Sequence, residues 1–167
     1  MTRGNRTGSQ LTEIAVWYIP WWKLRFRRAF LPMNIRGNLM IDGLGRDITY
    51  MRISVTELCN LRCRYCMPAD GICKKSHFDM LTEDEMITAV EAAASLGITK
   101  LRITGGEPLV KKNIISICRR AAEVEGIREV CLTTNGVLLP EFAGPLKNAG
   151  IKRLNISLDT LDSEKYA

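Results

Sequence analysis

From Met40 onward the chain alternates strand-like and helix-like segments with short links, and this alternation most restricts what it can fold into. Residues 47–55, 98–104, 129–133 and 153–158 read as strands. Three amphipathic segments separate them. The first opens on Thr82-Glu83-Asp84-Glu85, a capping box in which Thr82 caps, Glu85 sits three residues on, and the acids suit a helix N-terminus. Met86, Val90, Ala93, Ala94 and Gly97 then share one face. The second covers residues 113–125, with Ile114, Ile117, Cys118, Ala121 and Val124 inward and Gly126 as its stop. The third covers residues 140–148 and closes at Gly150, and Asp162 or Ser163 begins a further helix. Such an order with tight links requires parallel strands and crossover helices. A doubly wound sheet and a sector of a β/α barrel both satisfy it. The sequence ends at Ala167, just past a strand, which would leave that strand uncovered on one side. The expectation is a fragment whose four strands are not the whole fold.

The length of 167 residues suffices for one domain with a real core. A net charge of +6 hints at nucleic-acid binding, but its distribution removes the hint. Residues 1–39 hold seven basic groups against Glu13 alone, and the remaining residues hold seventeen of each sign. No nucleic-acid partner is expected. Residues 1–39 differ from the rest in other ways. They carry all three tryptophans, Trp17, Trp21 and Trp22, in an apolar run that Pro20 interrupts. The run is well short of the roughly 20 residues that span a bilayer, so no membrane span is expected. Its basic cluster follows the apolar stretch, the reverse of a secretory signal. Residues 1–39 therefore read as a basic, Trp-rich extension, disordered or outside the core of residues 40–167. A transit peptide and an interfacial segment are the alternatives. The expected location is cytoplasmic, or mitochondrial if residues 1–39 are a transit peptide.

Six cysteines are present. Without a secretory pattern they indicate a reducing compartment. Cys118 lies in a helix pattern and Cys131 in a strand pattern, where they read as buried free thiols. Cys59, Cys63 and Cys66 are different. They form C-x3-C-x2-C directly after the apolar run Tyr50-Met51-Arg52-Ile53-Ser54-Val55, with Arg62 and Arg64 between them. Three thiols within eight residues suit a soft metal centre rather than core packing. A loop at the C-terminal end of a parallel strand is also where α/β folds place their chemistry. Zinc held by Cys63, Cys66, Cys73 and His77 is one reading. It leaves Cys59 unused and does not explain the strand-end position. The favoured reading is a [4Fe–4S] cluster on Cys59, Cys63 and Cys66. Cubanes ordinarily take four cysteines, so three leave one iron open to a substrate or cofactor.

The other strand ends are also equipped. The second carries Gly105-Gly106-Glu107-Pro108, whose glycines let backbone approach a ligand and whose Glu107 can accept from an amine. The third carries Thr133-Thr134-Asn135-Gly136, and the fourth strand carries Asn155, Ser157 and Asp159. Taken singly these are a turn, another turn signal and a half-exposed strand. Four of them on successive strand ends form a constellation.

C-x3-C-x2-C with an aromatic before the last cysteine resembles the signature of the radical S-adenosylmethionine (SAM) enzymes. The stretch from Asp42 to Pro68 resembles the start of one family within them, the GTP 3′,8-cyclases of molybdenum cofactor biosynthesis (the MoaA family). Leu101–Leu109, Thr133–Gly136 and Leu154–Asp162 resemble it too, so the likeness runs from about Met40 to Ala167.

The resemblance implies the N-terminal part of a partial (β/α)6 TIM-like barrel, with about four βα units present. It implies a [4Fe–4S] cluster on Cys59, Cys63 and Cys66, whose open iron chelates SAM. The electron it delivers yields a 5′-deoxyadenosyl radical that takes the C3′ hydrogen of GTP, and the ribose radical attacks C8. Tyr65, Gly106 and Ser157 would contact SAM, with Gly105 and Glu107 completing that loop. Arg52, Arg102 and Thr133 would contact GTP, two guanidinium groups suiting a triphosphate. The implied partners are a flavodoxin- or ferredoxin-like reductant and MoaC, which receives the product, with a homodimer as the assembly. A second [4Fe–4S] cluster belongs to C-terminal cysteines of the family, and Cys73, Cys118 and Cys131 do not match that triad. Another radical SAM activity and a non-enzymatic zinc module are the competing functions. Residues 1–167 alone, reconstituted anaerobically with iron and sulfide and given SAM and GTP, are expected to form no cyclised nucleotide. Product analysis showing turnover would refute the fragment reading.

Overall fold

The computed structural model describes residues 13–16, 34–36, 39–66, 80–162 and 164. Its main sheet contains β1 (Glu13–Val16), β5 (Tyr50–Ser54), β6 (Lys100–Thr104), β7 (Glu129–Thr134) and β8 (Arg153–Ile156), in the order β1-β5-β6-β7-β8. All four pairings are parallel. A small antiparallel sheet holds β2 (Asn34–Arg36), β3 (Leu39–Ile41) and β4 (Asp47–Ile48). Helices α1 (Glu83–Ser95), α2 (Ile114–Glu123) and α3 (Leu139–Asn148) link successive strands of the main sheet from β5 to β8. Each strand from β5 to β8 lies beside its successor. A doubly wound sheet reverses its order at a switch point; among the described residues no reversal occurs, and the order is the one a barrel sector has.

The expected first strand, residues 47–55, is two strands in two sheets. Asp47 and Ile48 pair with β3, and the chain then changes partner at Thr49. The carbonyl of Thr49 accepts from Thr99 N at 2.9 Å and Lys100 N at 3.0 Å, which starts the β5–β6 ladder. Glu13–Val16, from the stretch read as an extension, lies parallel to β5 from Tyr50 to Ile53. The fourth strand ends at Ile156, two residues earlier than its alternation suggests.

Strand alternation gives the sheet two unlike faces. Met51, Ile53, Leu101, Ile103, Val130 and Leu132 point toward the helices and are buried. Ile87 and Val90 of α1, and Ile114, Ile117 and Ala121 of α2, complete this core. Burying each large aliphatic side chain stabilises by about 1.5–3 kcal/mol. The α1 capping box forms as read: Thr82 Oγ1 accepts from Glu85 N, and Glu85 reaches back to Thr82 N at 2.8 Å. Among the described residues no helix is long and apolar enough to cross a membrane.

Glu83 ties α1 to α2. Its carboxylate accepts from Asn113 Nδ2 at 2.6 Å, Ser116 Oγ at 2.6 Å and Arg120 Nη1 at 3.0 Å. The Ser116 hydroxyl first, then Asn113 and Arg120, hold its pKa below the ordinary carboxylate value. A lowered folded-state pKa gives stability that is present above the unfolded pKa and lost as pH falls through the folded one. Glu83→Gln is therefore expected to cost about 1–2 kcal/mol at neutral pH. The gap from the parent protein should narrow below about pH 4. Urea melts at several pH values would show a pH-independent gap if the tie contributes nothing.

Candidate functional site

The face of the main sheet turned away from the helices is polar, and the register stacks its residues in rows. Arg52 lies beside Arg102, Arg102 beside Cys131, and Cys131 beside Arg153. The row nearer the strand ends holds Ser54, Thr104, Thr133 and Asn155, by the same register. The opposite row includes Lys100 and Glu129. Glu129 lies 3.6 Å from Lys100 and 3.4 Å from Arg153. On β5–β8 this face has four cationic side chains and one carboxylate, so it favours an anion.

Arg102 is the best-defined of the four. Its Nη1 donates to Thr133 Oγ1 at 3.3 Å, and its guanidinium lies 5.6 Å from the centre of the Tyr50 ring. Its Nε is buried without a hydrogen-bond partner. A buried cationic donor left so is costly unless a ligand completes it. Arg52 stands in register beside it and is partly buried. Cys131, buried on the same face, donates to Glu129 at 3.3 Å. Burial first, then that hydrogen bond, pushes its thiol pKa up. The thiol of Cys118, in the helical core, is raised to about 12 by burial. Both behave as the inert structural thiols expected of them.

The cysteine loop grows directly out of β5. Thr56 is buried, and its Oγ1 accepts from Leu58 N at 3.1 Å, which turns the chain. Arg62 folds back so that its Nη1 donates to the carbonyls of Cys59 at 2.8 Å and Leu61 at 2.9 Å. Cys66 N donates to Cys63 O at 3.1 Å, and Leu61 N to Cys59 Sγ at 3.4 Å. Cys59 and Cys63 are half-buried and Cys66 is exposed, all three as free thiols. Partial desolvation of its sulfur raises the Cys66 pKa first, although the residue as a whole is exposed; the charge of Cys63 and a hydrogen bond with it follow, then Cys59. Neighbouring sulfurs that oppose the ionisation of Cys66 form a donor set that a soft cationic centre would stabilise. Among the described residues no three His, Cys, Asp or Glu side chains converge as a single metal ion requires. A cubane offers each cysteine its own iron, so it does not require the three sulfurs to converge on one point. Cys73 and His77, on which the zinc reading depends, lie outside the described residues.

The second loop is pressed against the first. Gly106 N donates to Thr56 O at 2.7 Å, and Glu107 N to Leu58 O at 2.8 Å. A Cβ on Gly105 would lie 2.5 Å from Thr56 O, and one on Gly106 2.4 Å from Leu58 O. The glycines are thus required by the neighbouring backbone, where the sequence suggested only a ligand. Glu107 also differs from expectation. It is buried at 1% exposure, and its carboxylate accepts from Leu109 N at 3.0 Å, Thr134 Oγ1 at 2.7 Å and Asn135 N at 2.7 Å. Both oxygens are used within the protein, so the side chain ties two loops together.

Tyr65 is 75% exposed, and its hydroxyl donates to Asp159, 2.9 Å from Oδ2. That bond to Asp159 is the largest cause raising the Tyr65 pKa to about 12. Ser157 is exposed just past β8, its N–H donating to Thr134 O at 2.9 Å. Gly106 is exposed and Thr133 partly buried at the same end of the sheet. The strand-end readings on Cys59, Gly106, Thr133 and Ser157 thus fall at one mouth, with Arg52 and Arg102 deeper on the polar face. Asn60, Asn135, Thr134 and Asp159 also shape this mouth. Of these the sequence marked Asn135 as a turn residue and Asp159 as one of an alternating set, and neither signal shows what they bridge.

A model of the radical SAM superfamily matches residues 53–167. GTP 3′,8-cyclase of Alkaliphilus oremlandii is 54% identical over 127 residues, covering 76% of this chain and 40% of the relative. The enzyme of that name from Peptoclostridium acidaminophilum is 54% identical over 129 residues, covering 77% and 40%. That from Geobacter sulfurreducens is 53% identical over 127 residues, covering 76% and 39%. The chain therefore spans about two fifths of the length of the curated relatives it matches. A crystal structure of BtrN in complex with AdoMet and 2-DOIA superposes with a TM-score of 0.51 at 19% identity, covering 65% of this chain and 44% of BtrN. That likeness is one of fold. The three-cysteine loop at the head of a parallel β/α sheet and the match over residues 53–167 agree: this chain belongs to the radical SAM superfamily.

Proposed function

We propose that these residues are the SAM-binding part of a GTP 3′,8-cyclase, the enzyme that opens molybdenum cofactor biosynthesis. The observation that carries the reading is the paired Arg52 and Arg102 on the polar sheet face, below the cysteine loop. The relatives named GTP 3′,8-cyclase support it.

On this reading Cys59, Cys63 and Cys66 hold a [4Fe–4S] cluster. When bound, the cluster supplies one electron for reductive cleavage of SAM. Tyr65, Gly106 and Ser157 line the SAM position, and the braced Gly105–Glu107 loop keeps that wall fixed. Arg52 and Arg102 bind the triphosphate. The buried Nε of Arg102 then gains an acceptor, and Thr133 keeps the guanidinium plane aimed along the sheet. Tyr50 beneath limits the motion of Arg102 by a cation–π contact. Residues 1–39 are an extension to the core of residues 40–167, one that adds the strand Glu13–Val16 to the edge of the main sheet. A flavodoxin- or ferredoxin-like reductant and MoaC are the proposed protein partners.

Two measurements test this. Anaerobically purified protein should contain iron and sulfide in equal amounts, and stoichiometric zinc without either would end the reading. In the full-length enzyme Arg102→Ala should weaken GTP binding by about tenfold to a hundredfold, the loss of one charged hydrogen-bonding group. Unchanged affinity in calorimetric titration, with the fold intact by circular dichroism, would remove GTP from this face.

A further inference from the structure

Asn135 is the residue through which the third strand end reaches the cysteine loop. Its Oδ1 accepts from Val137 N at 3.1 Å, an Asx turn that fixes which end of the amide is oxygen. The Nδ2 is thereby aimed at the first loop. It donates to Asn60 Oδ1 at 2.8 Å and lies 4.0 Å from Cys59 Sγ. Its backbone N–H is held by Glu107 Oε2 at 2.7 Å. Glu107 is in turn fixed by Thr134 Oγ1 and Leu109 N. The amide thus has a defined rotamer, a defined orientation and one N–H left for the sulfur.

We propose that Asn135 is a positioning residue for the iron–sulfur cluster, its side-chain amide donating an N–H···S hydrogen bond to the Cys59 thiolate. The inference rests on the cluster reading of Cys59, Cys63 and Cys66 given above. A cluster-bound thiolate carries more negative charge than a thiol and is the better acceptor, so loading the site strengthens this contact. Hydrogen bonds to cluster sulfurs favour the reduced, more negative state and raise the reduction potential. Asn60 holds the donor in line, and Glu107 fixes the backbone from which it projects.

The test is a redox titration of the full-length protein reconstituted with iron and sulfide, without SAM or GTP, followed by electron paramagnetic resonance. Asn135→Asp keeps the oxygen that Val137 requires and removes the donor. It should shift the midpoint to a more negative value and alter the signal of the reduced cluster. Because the new carboxylate lowers the potential by its charge alone, the shift counts for the hydrogen bond only where the uncharged Asn60→Ala moves the midpoint the same way. Asn60→Ala leaves the Val137 turn and the Glu107 contact in place and frees only the aim of the amide. It should shift the midpoint in the same direction by a smaller amount, and it serves as the readout if Asn135→Asp takes up no cluster. An unmoved midpoint in the variants that load their cluster overturns the proposal. A fall in apoprotein melting temperature with that unmoved midpoint would make Asn135 a brace between loops and nothing more. Failure of the parent protein to bind iron and sulfide is the separate result that would sink the cluster reading itself, and this inference with it.

Discussion

The mouth of the sheet depends on one buried carboxylate. Glu107 lies almost wholly out of solvent, where an uncompensated carboxyl group would cost several kcal/mol. Three donors from two loops satisfy it: Leu109 N, Thr134 Oγ1 and Asn135 N. Its own N–H extends the contact to Leu58 O in the cysteine loop. Three successive strand ends are thereby fixed to one another through a single residue. The glycines before it make this feasible, since side chains at Gly105 or Gly106 would run into the carbonyls of Thr56–Leu58. A ligand at this mouth meets walls set by backbone and buried groups, whose geometry holds before anything binds.

The same sheet serves two incompatible tasks because strand side chains alternate. One face is aliphatic and seals against the helices. The other carries Arg52, Lys100, Arg102 and Arg153 against Glu129. Nothing in the overall charge shows this, since the residues after position 39 balance to zero. Acidic groups such as Glu83, Asp84 and Glu85 sit on the first turn of α1, where the helix dipole favours them. On the inner face Glu129 offsets Lys100 and Arg153, and the face keeps a net positive charge. Holding Arg52 and Arg102 side by side repels rather than stabilises, which is intelligible if an anion lies between them.

Much of the fold was legible from the residues alone. The Thr82–Glu85 box starts α1, and the strand-helix alternation forces parallel strands. What periodicity could not supply was a change of partner inside one apolar run. Residues 47–55 have uniform strand character, yet Thr49 divides them between two sheets because its carbonyl is taken by Thr99 and Lys100. The choice between barrel and doubly wound sheet depends on strand order, which no local pattern encodes. At the site, Cys59, Cys63 and Cys66 announce themselves by spacing. Glu107 misleads, because a glutamate after two glycines reads as facing a ligand, and burial is a property of the assembled loops. Asn135 is a turn residue by sequence, and its second role depends on Asn60, 75 positions away.

The separation between the loop that presents sulfur and the loops that hold it has a physical consequence. Short local hydrogen bonds, such as those of Arg62 to the Cys59 and Leu61 carbonyls, shape the cysteine loop from within. They do not place it relative to the sheet. Placement comes from Gly106 N on Thr56 O, Glu107 N on Leu58 O, Asn135 on Asn60, and Tyr65 on Asp159. The first two are short backbone bonds, each with one partner on a buried residue, Thr56 or Glu107. The Tyr65 contact is exposed on both sides, where water competes for both partners. The loop is thus held firmly at its Cys59 end and loosely at its Cys66 end. That gradient matches the exposure of the cysteines, which rises from Cys59 to Cys66. A site built this way fixes the first ligand by the fold and lets the last adjust to whatever centre the three thiols enclose.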